Sequence, residues 1–436
     1  MQIATLYELF RKSSGVCTDS RKVEKGNMFF ALKGDHFDGN AYAADALDAG
    51  AIAAVIDDES YAREDGRTLV VENSLESLQA LARFYREQIS IPVIGLTGSN
   101  GKTTTKELLR DVLSQLYRTH ATPGNYNNHI GLPLTLLKMK EEVEIAIIEM
   151  GANHQGEIDM LCRMADPTHG LITNIGKAHL EGFGGLEGVK KGKSELYRHL
   201  ERRGGTAFVN RDEPFLTGLS EGIEERIFYG TVETLRADPD SYSVRLLSDQ
   251  PFLKLSFLDE EGREIKVASR LSGLYNLPNM ATAIAVGKYF RVPATSIKTA
   301  LESFRPAENR SQVIESGTNT YLLDAYNANP TSMEQALRHF ARMPAASRVA
   351  VLGDMLELGR STEAEHRSIV DLAISLGLDE IVLVGENFAP LAREKNIRHF
   401  EEVKQAKRWL SKQNFQNTHL LIKGSRGMQL EKLIAE

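Results

Sequence analysis

"TGSNGKTTT", residues 97–105, is the stretch that decides how this chain is read. An apolar "IPVIGL" (91–96) leads into it and "KELLRDVLSQL" (106–116) leads out, so the context is strand, turn, helix. Phosphate needs several donors converging on one oxyanion and a positive charge close by. A glycine-bearing turn over Gly98, Ser99, Asn100 and Gly101 supplies converging backbone N–H groups. The helix that follows adds its unsatisfied amides and the positive end of its dipole. Lys102 brings a mobile charge for the terminal phosphates, Thr103 a hydroxyl where a P-loop places one for Mg²⁺, and Thr104 a further polar group. The spelling is a variant. The general motif would put its first glycine at Leu96, whereas here Gly98 stands closer to Gly101.

Outward from this loop, short β-rich runs alternate with helical patterns almost throughout, the mark of βαβ units and parallel sheets. The first block, residues 1–91, holds "NMFFAL", a helical "AYAADALDAG", then "IAAVI", "TLVV" and a helical "SLESLQALARFYREQ". The second, 92–311, has strands "PVIGLT", "IAIIEM", "GLITNI" and "TAFVN". Between about 226 and 270 the pattern alternates as antiparallel strands do ("SYSVRLL", "FLKLSF", "EIKVAS"), a small sheet attached to this block, before a helical "NLPNMATAIAVGKYF". The third, 312–436, repeats a Rossmann-like rhythm of "TYLLDAY", "RVAVLGD", "EIVLVGE" and "HLLIKGS", each followed by a helix-like segment. The expected fold class is α/β with three domains, which suits a length of 436 residues.

Composition bounds the partners. Apolar residues at 42% and charged residues at 25% fit a soluble globular protein. A net charge of −7 argues against nucleic acid, whose binders carry a basic footprint. Cys17 and Cys162 offer neither a disulfide framework nor zinc spacing, so a reducing compartment fits. No apolar run approaches the roughly 20 residues of a membrane span, and the opening "MQIATLYELFRKSSG" lacks a signal-type core. A cytoplasmic monomer without membrane insertion is expected.

Other residues carry possible chemistry. Glu149 ends the apolar strand of "IAIIEMGANHQGEI", where open α/β sheets bind ligands; it suits Mg²⁺ or is a solvated strand-end carboxylate. His179 follows a strand in the glycine-rich "ITNIGKAHLEGFGG". Lys193 lies in "GVKKGKSELYRHL", which reads as one helix with a basic face. Asn276 and Asn279 stand at a helix start, where asparagine commonly caps. Arg310 falls at the seam of the second and third blocks, and Asp324 at a strand end.

Taken with these pieces, "TGSNGKTTTKELL" resembles the ATP loop of the Mur ligase family, which adds amino acids to a nucleotide-linked cell-wall precursor. The resemblance covers nearly the whole chain. It implies ATP and Mg²⁺ as cofactors, with Glu149, Thr103, His179 and Lys193 about the metals and Lys102, His179 and Lys193 in catalysis. It implies that Lys193, in "KSELY", is a candidate for carbamylation. It places Asn276 and Asn279 near adenine, Asp324 at ribose and Arg310 as a phosphate clamp. It makes the first block a UDP-precursor module, with Ser20 and Arg21 of "TDSRKVEKG" near the UDP group. It sets Asn125, Asn127, Asn128 and His129 of "TPGNYNNHIG" by the sugar-peptide. In the third block "DAYNANPTSMEQAL" and "VLGDMLELG", with His366 following, are similar to the members that join D-Ala-D-Ala to UDP-N-acetylmuramoyl-tripeptide. Asn327 and Asn329 would orient the dipeptide, and Lys423, Ser425 and Arg426 would meet a carboxylate or phosphate, though Ser425 also suits a helix cap. A ligase for the third amino acid, a folylpolyglutamate synthase and a non-ligating P-loop ATPase are the competing readings.

Overall fold

The computed structural model describes residues 2–237, 241–306 and 309–434. Three sheets follow one another along the chain, besides a two-stranded hairpin. The first has four parallel strands in the order Gly15–Cys17, Asn27–Phe30, Ala53–Ile56, Thr68–Val70. The helix Ser74–Glu87 closes this block. Asn73 caps it by accepting from the Leu75 and Glu76 amides, a bond worth about 1 kcal/mol. Its inward stripe of Leu78, Leu81 and Ala82 follows the helical period. Arg86 on the same helix is buried and donates to the carbonyls of Ala165 and Asp166 at 2.8 and 3.0 Å, fastening the first block to the second.

The central sheet has nine strands. Val93–Thr97 lies between His169–Ile172 and Ile145–Glu149, parallel to both. These strands are apolar and buried along nearly their whole length, as parallel strands covered on both faces must be. After Val93–Thr97 the chain lays Thr119–Ala121 and Ile145–Glu149 on one side and then His169–Ile172 and its successors on the other. Its C-terminal end is therefore a switch point, where crevices for ligands open. The small antiparallel sheet expected in this region is present and joined to the central one. Ser241–Ser248 pairs in parallel with Glu225–Thr231, and Lys254–Leu258 and Glu264–Ala268 continue antiparallel from it, so they extend the central sheet's edge.

The third sheet has six strands. Gln312–Ser316 pairs antiparallel with Asn319–Asp324; Thr418–Lys423, Ser347–Gly353, Glu380–Val384 and Arg398–Phe400 continue it in parallel. Two expectations are corrected here. "HLLIKGS" is followed only by the 3₁₀ turns Arg426–Met428 and Leu430–Leu433. The single helix expected over "GVKKGKSELYRHL" is two, Leu186–Lys193 and Glu195–Arg203, parted at Ser194, whose hydroxyl donates to the Lys191 carbonyl and accepts from Arg198. The break makes Lys193 the last residue of the first helix and buries it. Among the described residues no helix is long and apolar enough to cross a membrane.

Candidate active site

The phosphate loop joins Val93–Thr97 to the helix Lys102–Leu113. Its two middle residues, Ser99 and Asn100, are tied to the segment 173–176 of the neighbouring strand's end. Ser99 N–H donates to the Asn174 carbonyl at 3.0 Å, and Ser99 Oγ donates to the Gly176 carbonyl at 3.1 Å and accepts from the Gly176 amide at 2.9 Å. The Asn100 amide donates to Asn174 Oδ1 at 3.0 Å, and its carbonyl accepts from Thr173 Oγ1 at 2.6 Å and Asn174 Nδ2 at 3.0 Å. Thr173 and Asn174 were not singled out in the sequence. The signal was a hydroxyl and an amide at a strand end beside the loop's own strand.

Gly98 has φ +143°, and a Cβ there would lie 2.0 Å from Thr173 Oγ1 and 3.0 Å from the Thr173 amide nitrogen. Gly98→Ala must therefore push the loop off its supports. With overpacking costs of about 1–3 kcal/mol, nucleotide affinity should fall about tenfold or more, measured by titration with a fluorescent nucleotide. An affinity equal to wild type would show that the loop does not meet the phosphates.

Lys102 is half-buried and folds back, Nζ donating to the carbonyls of Gly98 at 2.8 Å and Ser99 at 3.4 Å. Burial draws its ammonium below the usual lysine range, with the Arg310 charge acting the same way and Glu149 opposing. Glu149 is buried at the end of its strand. Its Oε1 accepts from Asn127 Nδ2 at 2.7 Å and Thr103 Oγ1 at 3.3 Å, while Oε2 has no hydrogen-bond donor among the described residues. Lys193 is fully buried, its Nζ donating to the Ala152 carbonyl at 3.1 Å and lying 5.0 Å from the Phe183 ring centroid. Burial first, then the Lys102 charge, push its ammonium far below the ordinary range; Glu157 and Glu195 work against them.

One cavity of about 470 Å³ gathers residues 99–104, Asn125, Asn127, Asn128, His129, Glu149 and His179 with Asn276, Asn279, Arg310, Asp324, Asn327, Asn329 and Lys423. Gly98 and Lys193 are not in this lining; Gly98 precedes the lining Ser99, and Lys193 Nζ bonds to the carbonyl of the lining Ala152. Ser20, Arg21 and Ser425 are outside it, and Arg426 lines a smaller neighbouring cleft with Asn125 and Tyr326. Arg21 is on an exposed 3₁₀ turn, forked onto Asp19 at 2.8 and 2.9 Å.

Many polar groups have structural partners as well. Asn276 Nδ2 donates to the Ser272 carbonyl, and Asn279 takes Thr105 Oγ1 and gives to Asn276 Oδ1, a chain that sets the helix Leu277–Tyr289 against the loop. Asn128 Oδ1 accepts from the Ile130 and Gly131 amides, and the His129 carbonyl from Gln79 of the first block. Arg310 stacks 3.4 Å above the Tyr326 ring centroid. Asp324 is paired with Lys423 Nζ at 2.5 Å, which also donates to the Asn327 carbonyl at 3.2 Å. Asn329 caps the helix Pro330–Arg342, yet its Nδ2 also reaches Asn100 Oδ1 at 2.7 Å, a direct bond from the third block to the phosphate loop. His179 Nδ1 meets the carboxylate of Glu357, another contact between these blocks, and that bond holds the Glu357 carboxyl below its usual range. Ser425 Oγ accepts from the Leu356 amide and donates to the Ala328 carbonyl, and His366 is buried, accepting from the Met355 amide. Both tie loops rather than face the cavity.

The glycine loop, a buried strand-end carboxylate and residues of the third block thus line one cavity. Three domain families match the chain in order: the Mur ligase family catalytic domain over residues 12–86, the Mur ligase middle domain over 96–287 and the Mur ligase glutamate ligase domain over 309–426. The UDP-N-acetylmuramoyl-tripeptide–D-alanyl-D-alanine ligase of Bacillus subtilis is 35% identical over 97% of this chain and 92% of its own length.

The chain belongs to the Mur ligase family.

Solved structures agree. MurF from Acinetobacter baumannii superposes with a TM-score of 0.84 at 32% identity, covering 98% of this Mur ligase and 97% of that chain. MurF from Thermotoga maritima, in complex with ADP, gives 0.84 at 27% identity with the same coverage.

Proposed function

We propose that this Mur ligase uses ATP to join D-alanyl-D-alanine to the terminal carboxylate of UDP-N-acetylmuramoyl-tripeptide, giving the pentapeptide precursor, ADP and phosphate. What carries the reading is the single cavity that gathers the phosphate loop, the 125–129 loop and the third block's 324–329 stretch, in a chain matched nearly end to end by relatives of that name.

A carboxylate is a poor acyl donor. Transfer of the γ-phosphoryl group to it gives an acyl phosphate; the dipeptide amine then attacks the acyl carbon through a tetrahedral intermediate, and phosphate leaves. The protein's part is to position the reactants and neutralise charge. The loop amides and Lys102 would bind the phosphates, Arg310 would meet them from the seam, and Asn127, bonded to Glu149, would help receive the acyl substrate.

The donor set fits Mg²⁺. A buried carboxylate oxygen lacks a hydrogen-bond donor at Glu149, and the Thr103 hydroxyl is next to the other oxygen. Among the described residues no cluster of three or more acidic, histidine or cysteine groups could hold a metal. One carboxylate suits a cation that keeps its waters and leans on substrate phosphates. Glu149 and Thr103 would hold it, with His179 at the cavity rim for a second; bound there, it would offset phosphate charge.

Carbamylation of Lys193 follows the same logic. A buried ammonium beside Lys102 is disfavoured, whereas an anion there is attracted by Lys102. The Nζ lone pair bonds to the carbon of CO₂, an electron pair moves onto oxygen, and a proton leaves to solvent. The substrates point to the cytoplasm, and the chain is read as a monomer.

The test is phosphate release. Release that needs both UDP-N-acetylmuramoyl-tripeptide and D-Ala-D-Ala is expected. Release that needs neither, or only glutamate and a folate, overturns the reading.

A further inference from the structure

Lys106 stands one turn beyond Lys102 on the same face of the helix Lys102–Leu113 and is fully buried. Its Nζ donates to the carbonyls of Thr122 at 2.7 Å and Gly124 at 3.0 Å, and lies 2.9 Å from Glu107 Oε1. Two N–H donors thus meet carbonyls, and the Glu107 carboxylate pairs with the charge. The donor-less Oε2 of Glu149 is 4.0 Å away. A charge buried this deeply is costly unless matched, and an apolar side chain would fill the space at less expense. The lysine's partners explain what it does there.

Thr122 and Gly124 open the segment that turns through Gly124, at φ +49°, into Asn125 and the 125–129 loop. That segment is also held at its far side by Glu149. The Glu149 amide donates to Thr122 Oγ1 at 2.9 Å, Asn127 Nδ2 donates to Glu149 Oε1 at 2.7 Å, and the Gly151 amide donates to the Asn127 carbonyl at 2.8 Å. Thr103, on the helix itself, closes the ring by donating to Glu149 Oε1. The circuit runs from nucleotide helix to Lys106, to the loop, to Glu149, and back to the helix.

We propose that Lys106 is a positioning residue that couples the nucleotide helix to the loop receiving the acyl substrate, fixing the Glu149 carboxylate and Asn127 together. The identity of that substrate rests on the reading above; the coupling itself rests on the ring of bonds.

The full-length Lys106→Met and Lys106→Gln variants test it. Three quantities are compared with wild type: affinity for ADP without Mg²⁺, the Mg²⁺ concentration giving half-maximal phosphate release with ATP, and the KM for UDP-N-acetylmuramoyl-tripeptide beside kcat. ADP affinity should stay within about twofold. The Mg²⁺ requirement should rise several-fold and the KM for the tripeptide about tenfold, more than kcat falls. A merely structural lysine would not split the two substrates this way. Tripeptide KM and Mg²⁺ requirement both unchanged in a folded variant would overturn the proposal. So would ADP affinity falling in step with them, or loss of the cooperative melt in both variants, since the glutamine retains a donor for one carbonyl. If wild type ignores the tripeptide, the functional reading has failed; a raised Mg²⁺ requirement at constant ADP affinity then still supports the coupling, and an unchanged one ends it.

Discussion

Lys102→Met should lower tripeptide- and dipeptide-dependent phosphate release by about 10³-fold, the scale expected when a donor aimed at developing charge is removed. The side chain starts the helix Lys102–Leu113 and pairs with no carboxylate among the described residues; it rests on the carbonyls of Gly98 and Ser99. Those contacts are weak holds for a cation that burial already disfavours. Phosphates entering the loop offer it a better partner, so the lysine's charge is free to follow the transferred group. Methionine keeps the length and the apolar stem but not the charge. The melting temperature should therefore hold while kcat collapses, with nucleotide affinity reduced far less than turnover. Turnover within tenfold of wild type would remove Lys102 from the chemistry.

Lys193→Met should cost about 10²-fold, in the range seen when a group orienting a metal site is lost. Wild-type activity should also depend on dissolved CO₂: thorough degassing lowers it and bicarbonate restores it, while the variant ignores both. The direction with pH follows from the burial of the amine. Only neutral Nζ attacks CO₂, and burial together with the Lys102 charge favours that neutral form. At fixed dissolved CO₂, acidification protonates the amine and activity drops; raising the pH returns it. A ¹³C signal from labelled bicarbonate, present in wild type and absent in Lys193→Met, checks the bond directly. Activity indifferent to CO₂ would leave Lys193 as a buried structural lysine.

The parts of this site that sequence made legible are those whose meaning is local. The phosphate loop is nine consecutive residues between a strand and a helix, so its chemistry and its place in the sheet can be read together. Glu149 was legible because an apolar run ends on it. Partnerships across the fold were not. Asp324 and Lys423 were read separately, one for ribose and one for an anion, yet they are register partners on neighbouring parallel strands and spend much of their charge on each other. Asn329 before Pro330 is a readable helix start, but nothing local says that its amide also meets Asn100. Lys106 directly follows the quoted loop, and its two carbonyl partners, on Thr122 and Gly124, lie too far along the chain for the loop's own spelling to reveal them. The strands Gly15–Cys17, Thr119–Ala121 and Arg398–Phe400 have three residues each, too few for an alternation to show.

The bonds tying Ser99 and Asn100 to residues 173–176 have a thermodynamic side. A loop assembled only around its ligand gives up backbone freedom at the moment of capture, about 1–2 kcal/mol for each residue ordered. Here the supports lie on an adjacent strand end, so most of that ordering is completed during folding. The nucleotide then keeps nearly all of its contact energy as affinity, and its capture should carry only a small conformational entropy loss.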